Sequence, residues 1–298
     1  MIRKSSLTRL TTGLLFLVPF AALLYTPSPV LATAFVPSLG SASGFGVLAG
    51  SAVTCTNGGG AVVAGDVGEW PGNAFTNSPP CTINGALHLG DGVAKQAYLD
   101  FISAYNNLLN NPPSCDSTYL TSTLAGETLL PGVYCIGATA KTGNLILDAG
   151  TAGASAVWIF LVDGALTGTN FNVTMINGGD PCNVYWRTGL NAGATLTTSN
   201  FVGTILSGAA ITVTATNGTV HGDLFATTAV TLTLTNSTVT ACQLARGHGN
   251  VHGKCNQGVG NGPENCDPGN SNQGDPSRSN DELGGTPGNP GRKGGNGK

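Results

Sequence analysis

The side chains that could do acid–base work in this sequence are Asp66, Glu69, Asp100, Asp116, Glu127, Asp148, Asp163, Asp180 and Asp223. Glycoside cleavage needs two of them paired across a sugar bond, and metal chemistry needs several clustered. These acids are instead scattered among Gly-rich turns with no repeated pairing, which assigns them to turns and caps. His221-Gly222-Asp223 has the types of a fragmentary metal site, but the same three residues are ordinary turn chemistry. Towards the end of the chain, His248, His252, Cys255 and Cys266 have the types of a zinc set. In an exported chain, a disulfide between the two cysteines is the better reading. No catalytic residue, metal or cofactor is therefore expected.

Export is read from the first 34 residues. Arg3, Lys4 and Arg9 provide a positive start, Leu14 to Leu24 an apolar core too short to span a bilayer, and Ala32-Thr33-Ala34 a cleavage signature. The mature chain then begins near Phe35. Oxidising surroundings follow, so the cysteines at 55, 81, 115, 135, 182, 242, 255 and 266 are disulfide candidates. Eight cysteines allow 105 connectivities. The simplest arrangement joins neighbours: Cys55 with Cys81, Cys115 with Cys135, Cys182 with Cys242 and Cys255 with Cys266.

Of 298 residues 45 are Gly and 16 Pro, and only 9% are charged, against about 25% in an ordinary soluble domain. Between Arg187 and Cys242 there are 16 Thr and two charged residues, Arg187 and Asp223. Thr and Ser must then cover the surface. A net charge of -3 provides neither a basic stripe for nucleic acid nor a cationic face for membranes.

The elements that must carry this surface are mostly strands. Asp91 is a candidate N-cap for a helix over about 91–110. Its apolar face is Val93, Ala94, Ala97, Tyr98, Phe101, Ile102, Tyr105, Leu108 and Leu109, and Asn110-Asn111-Pro112-Pro113 stops it. Phe35 to about Asn84 is β-like. From Tyr119 to Cys242, β-branched runs such as Val157 to Val162, Val184-Tyr185-Trp186 and Ile211-Thr212-Val213 alternate with Gly and Asn. From 243 to 298 the chain is Gly, Asn, Pro, Ser and Asp, a composition expected to stay disordered.

Within the strands a motif recurs: an aliphatic residue, Thr, any residue, Thr or Ser, then Asn. Its copies carry Thr54 and Thr56, Thr167 and Thr169, Thr197 and Ser199, Thr214 and Thr216, and Thr233 and Thr235, with a partial copy at Thr142-Gly143-Asn144. Strand alternation sends the hydroxyl residues outward and the aliphatic and middle positions inward. Stacked copies would make two files about 6.6 Å apart with a repeat of about 4.8 Å. The middle residues Gly168, Ala215 and Cys55 are small, whereas Leu234 and Thr198 depart from that pattern and suggest wider turns. At 1.5 Å per residue the helix is about 28 Å long, matching roughly six such coils, against which Phe101, Ile102, Tyr105 and Leu109 would be buried.

The segments Gly65-Asp66-Val67-Gly68, Leu89-Gly90-Asp91, Leu130-Pro131-Gly132-Val133-Tyr134, Ala156 to Phe160, Ile176 to Gly179, Cys182 to Trp186 and Phe201 to Leu206 resemble, in content and order, the microbial ice-binding protein family. The resemblance covers about Leu39 to Cys242. It implies a right-handed, three-sided, discontinuous β-solenoid with a flanking α-helix, no enzymatic activity, and adsorption to ice through a flat face of Thr-Ala/Gly-x-Thr/Asn motifs. Thr167-Gly168-Thr169-Asn170 and Thr214-Ala215-Thr216-Asn217 fit that motif in full. The implied partners are ice and its ordered water, met by a secreted monomer with no nucleic-acid or membrane partner. A cell-surface adhesin and a β-helix polysaccharide-active enzyme are the competing readings. The sequons at Asn172, Asn217 and Asn236 are by-products of Thr and Asn abundance.

Overall fold

Short β-branched runs broken by Gly and Asn form strands that wind around a common core, and every strand pairing in this computed structural model, which describes residues 34–242, is parallel. Residues 1–33, all but the last of the expected export signal, and residues 243–298, with His248, His252, Cys255 and Cys266, lie outside the described residues. A first pass gives β1 (Phe45–Ala49), β2 (Ala52–Asn57) and β3 (Val62–Ala64). A second gives β4 (Asp66–Glu69), β5 (Ala74–Asn77) and β6 (Thr82–Asn84), and β7 (Leu87–Leu89) begins a third. Helix α1 (Gly92–Asn110) follows. The chain then winds through β8 (Ser117–Tyr119), β9 (Thr128–Leu129), β10 (Gly132–Gly137), β11 (Lys141–Asp148), β12 (Trp158–Asp163) and β13 (Leu166–Ile176). It finishes with β14 (Val184–Arg187), β15 (Ala194–Val202), β16 (Thr204–Ser207), β17 (Ile211–His221), β18 (Leu224–Ala226), β19 (Ala229–Thr235) and β20 (Thr238–Thr240).

The stacking order is not the chain order. The first side is a nine-stranded sheet, β7-β4-β1-β18-β16-β14-β12-β10-β8, so the opening coil sits on the closing one, with Val47 paired to Leu224. The helix carries the chain from one end of the stack towards the other, and β8 starts winding back. The remaining strands form the second and third sides. Long strands β11, β13, β15 and β17 each turn a corner partway, marked by register shifts after Thr142 in β11 and Thr198 in β15.

That corner has a chemical cause. Asn170, Asn217 and Asn236 hold φ of 48°, 51° and 45°, and Gly143 holds 69°. Asn tolerates the left-handed region better than other side-chain-bearing residues, and the Asn236 amide donates to Asn217 Oδ1 at 3.2 Å in the next coil. Thr198 is buried at the same bend, its hydroxyl within reach of the Phe171 and Asn200 carbonyls at 2.6 and 3.0 Å.

Two apolar layers hold the strands. Inside the coils, Tyr134, Phe160 and Trp186 stack on successive first-side strands, with centroids 5.5 and 3.8 Å apart. Outside the first side lies α1, so these strands are apolar on both faces and Trp158, Ile159, Phe160, Leu161 and Val162 are all buried. Asp91 caps the helix, its Oδ1 accepting from the Ala94 N–H at 2.8 Å. The helix packs along β7, β4, β1, β16 and β14, and Phe101 meets Phe225 of β18. Six neighbouring strands are thus crossed, as its length predicts. Of the expected face, Ala94, Ala97, Phe101, Tyr105 and Leu108 are buried and Ala104 joins them, while Tyr98, Ile102 and Leu109 are half-exposed and Val93 is exposed. The alanines let the backbone approach the sheet closely.

Disulfides Cys55–Cys81, Cys115–Cys135 and Cys182–Cys242 match three of the expected pairs. The first two tie neighbouring coils, and the third joins the start of β14 to the end of the last coil.

Candidate functional site

The second side bears the longest files of like side chains. Register places Thr76, Thr54, Thr231, Thr212, Thr195 and Thr167 in one file, one per strand from β5 to β13. A second file contains Thr56, Thr233, Thr214, Thr197, Thr169 and Thr142, from β2 to β11. Thr216 and Thr235 pair in a short third file beside the corner. Neighbouring files lie about 6.6 Å apart and neighbouring strands about 4.8 Å apart.

The copies of the sequence motif do not stack as they read. Thr167 pairs with Thr195 and Thr169 with Thr197, while Thr54 pairs with Thr231 and Thr56 with Thr233. The copies at 53–57 and 166–170 are therefore offset by two residues from the other three. Thr76, Thr195, Thr212 and Thr231, absent from the expected set, complete the first file. For Thr195, Thr212 and Thr231 the signal was an outward Thr one alternation before a motif copy, whereas Thr76 precedes no copy. Ser199 lies at the register shift between Thr198 and Asn200. Small inward residues also fall in two rows: Gly168 and Cys55 share one with Leu196, Val213 and Leu232, and Ala215 shares the other with Thr198 and Leu234.

Alternation beneath the files is complete. Val53, Cys55, Leu166, Gly168, Leu196, Val213, Ala215, Leu232 and Leu234 are buried, and Thr169, Thr195, Thr197, Thr214, Thr216 and Thr233 are exposed. In these strand segments Lys141 is the single charged residue, and it points inward. Its Nζ donates to the carbonyls of Ser122 and Gly137, both at 2.9 Å, and burial pushes its pKa below the usual lysine value. The outward surface thus carries no charge.

Hydrogen bonding separates this side from the third. Asn172 donates to Asn144 Oδ1 at 3.4 Å, Thr219 to Asn200 Oδ1 at 3.2 Å, and the Asn200 N–H to Asn172 Oδ1 at 3.1 Å, so the third side's polar groups bond one another. Among the described residues, no side-chain hydrogen bond is formed by the hydroxyls of the two long Thr files on the second side. Those hydroxyls are available to an external layer of donors and acceptors.

The acids act as fasteners. Asp66 accepts from the Ala86 N–H, Glu69 from Ala74, Asp116 from Val133 and Asp180 from Cys182. Asp148 accepts from the Asn177 side chain and Gly150 N–H, which hold its carboxyl below the usual range. In the His221-Gly222-Asp223 triplet, Asp223 is buried and accepts from the Cys242 N–H and Thr204 hydroxyl, while His221 lies half-exposed on the third side. No group of three His, Cys, Asp or Glu that could hold a metal ion occurs among the described residues. Nor is any helix among them long and apolar enough to cross a membrane.

Residues 47–240 match the model of the family described as ice-binding-like. An ice-binding protein of Nostoc sp. is 39% identical over 183 residues, which are 61% of this chain and 65% of that protein. Ice-binding protein 1 of Shewanella frigidimarina is 32% identical over 210 residues, 59% of this chain and 23% of that one. The chain thus spans less than two thirds of either relative. Among solved structures, an ice-binding protein from the Antarctic ascomycete Antarctomyces psychrotrophicus superposes with a TM-score of 0.61 at 34% identity, covering 70% of this chain and 98% of that one. The corresponding domain of Shewanella frigidimarina ice-binding protein 1 gives 0.57 at 27% identity, covering 70% and 98%. With the family model matched over more than half its length, the chain belongs to the ice-binding-like family.

Proposed function

We propose that this chain adsorbs to ice through the second side, with the files Thr76 to Thr167 and Thr56 to Thr142 as the contact surface and Thr216 and Thr235 at its rim. The observation that supports this most is the pairing of strict Thr register with hydroxyls unused by the protein. Hydroxyls at fixed spacing can anchor water molecules, while the methyl groups between them order that water without binding it. Bridging waters are nearly as favourable as direct hydrogen bonds. Charges would hold competing hydration shells strongly, and Lys141 is turned inward instead. One hydroxyl contributes little, so affinity resides in the array.

On this reading the protein is not an enzyme and needs no cofactor. It works as an exported monomer, with residues 1–34 as the signal, 35–242 as the ice-binding domain and 243–298 as a Gly-, Asn- and Pro-rich tail. Adsorbed molecules make ice grow as curved fronts between them, which lowers the local freezing point. The test is ice growth in the presence of purified chain lacking residues 1–34. Shaped crystals and inhibited recrystallisation, unchanged by a chelator, are expected. Unaltered ice growth from folded protein would overturn the reading.

A further inference from the structure

We propose that the cavity beneath the segment following α1 binds a small zwitterion of the amino-acid type, its carboxylate on Arg187 and its ammonium on Asp163. The cavity is about 320 Å³ and partly open, lined by Pro112, Pro113, Leu120 and Leu161 together with Asp163 and Arg187.

Arg187 is out of place by composition. It occupies the outward row of the first side between Leu161 and Leu206, where the following partners are Phe225 and Leu48. An apolar residue would complete that row. A guanidinium there is 8% exposed, and a cation so buried is costly unless paired. Its Nη1 reaches the carbonyls of Val162 and Thr188 at 3.3 and 3.5 Å, long for hydrogen bonds, and its buried Nε has no partner. Among the described residues no carboxylate lies at ion-pairing distance from it.

Asp163 ends β12 on the rim of the same cavity, is exposed, and forms no hydrogen bond or ion pair among the described residues. Arg187 and Asp163 therefore line one cavity near enough to act on each other electrostatically but beyond ion-pair distance. A simple anion would face repulsion from Asp163, and a simple cation from Arg187. A dipolar ion satisfies both, since a guanidinium donates to a carboxylate and a carboxylate accepts from an ammonium. The proline and leucine walls fit an aliphatic substituent. The site lies against the first side, away from the Thr files, so it is independent of ice adsorption.

Calorimetric titration with L-leucine, alongside 4-methylpentanoate and isoamylamine, which each keep one charge, tests this. Saturable leucine binding is expected, with each one-charge analogue and both Arg187→Met and Asp163→Asn weaker by about tenfold or more. Arg187 also touches two carbonyls, so Asp163→Asn, at an exposed position, gives a reading free of folding effects. Leucine should shift the methyl resonances of Leu120 and Leu161 in the wild type and much less in Asp163→Asn. Failure of leucine to bind saturably, or equal binding of 4-methylpentanoate marking a plain anion site, would overturn the proposal.

Discussion

Thr197 stands beside Thr169 on the neighbouring strand, and Thr195 stands beside Thr167. This two-residue offset sets the shape of the proposed ice-contact surface. It brings into one array four threonines that the repeated motif leaves out. Members of both files should then be equivalent in function, whether or not they belong to a copy of the motif.

A bulky side chain on either file should hold the surface off the ice lattice. Thr195→Tyr, Thr212→Tyr, Thr197→Tyr and Thr214→Tyr are each expected to lose most thermal hysteresis. Thr219→Tyr, on the third side, should keep it. Outward substitutions remove little packing, so stability should change by no more than about 0.5 kcal/mol. Thermal hysteresis and melting temperature measured on the same samples separate the two effects. Full activity in Thr195→Tyr with loss in Thr197→Tyr would confine the face to the second file.

The Cys182–Cys242 bridge spans 60 positions and ties the start of β14 to the end of the last coil. On the chain-entropy model a loop of that size is worth about 4 kcal/mol. Replacing both cysteines with Ala should lower the denaturation midpoint markedly and steepen the slope, because the unlinked denatured chain exposes more surface. Ice activity at low temperature should persist, because neither cysteine lies on the second side.

Asn217 turns the corner between the second and third sides at a φ of 51° and accepts from the Asn236 amide. Asn217→Ala places a Cβ residue without a compensating polar group in the left-handed region, at a cost of about 1–2 kcal/mol. Asn217→Gly relaxes that conformation and should cost less. Chemical denaturation of the two variants orders them; equal losses would show that the amide contact, not the backbone, fixes the bend.

Much of this architecture was legible in the residues. The three-to-four spacing from Ala94 to Leu108 and the Asp91 cap gave the helix, and the alternation at Val53 to Thr56 gave inward and outward faces. Register was not legible, for a physical reason. A one-residue slip sends every side chain to the wrong face, but a two-residue slip keeps each on its own face. Thr-x-Thr looks the same before and after such a slip, so only the backbone pairing distinguishes them. The seating of β1 on β18 is likewise a contact between chain ends that no local pattern encodes. Arg187 and Lys141 carry charges that composition assigns to surfaces, yet both are buried.

Acid should remove the helix cap before it touches the Thr array. Slight burial raises the Asp91 carboxyl, but the Ala94 N–H, the hydrogen bond and charge of His88 and the Val93 N–H outweigh it and hold it below its ordinary 3.8. A carboxyl whose folded pKa is depressed contributes stability above its unfolded value, and that contribution is lost as pH falls through the folded value. Asp91→Ala should therefore cost about 1 kcal/mol at neutral pH. Its deficit against wild type should shrink as the pH drops below about 4 and nearly vanish once the wild-type carboxyl is protonated. The two Thr files hold no titratable side chain, so ice recrystallisation inhibition should stay level over the same range while the protein remains folded. Denaturation curves of both proteins at pH 7 and pH 2.5, run beside that assay, test the pair of expectations. A deficit that stayed constant with pH would show that Asp91 supports the helix by something other than its charge.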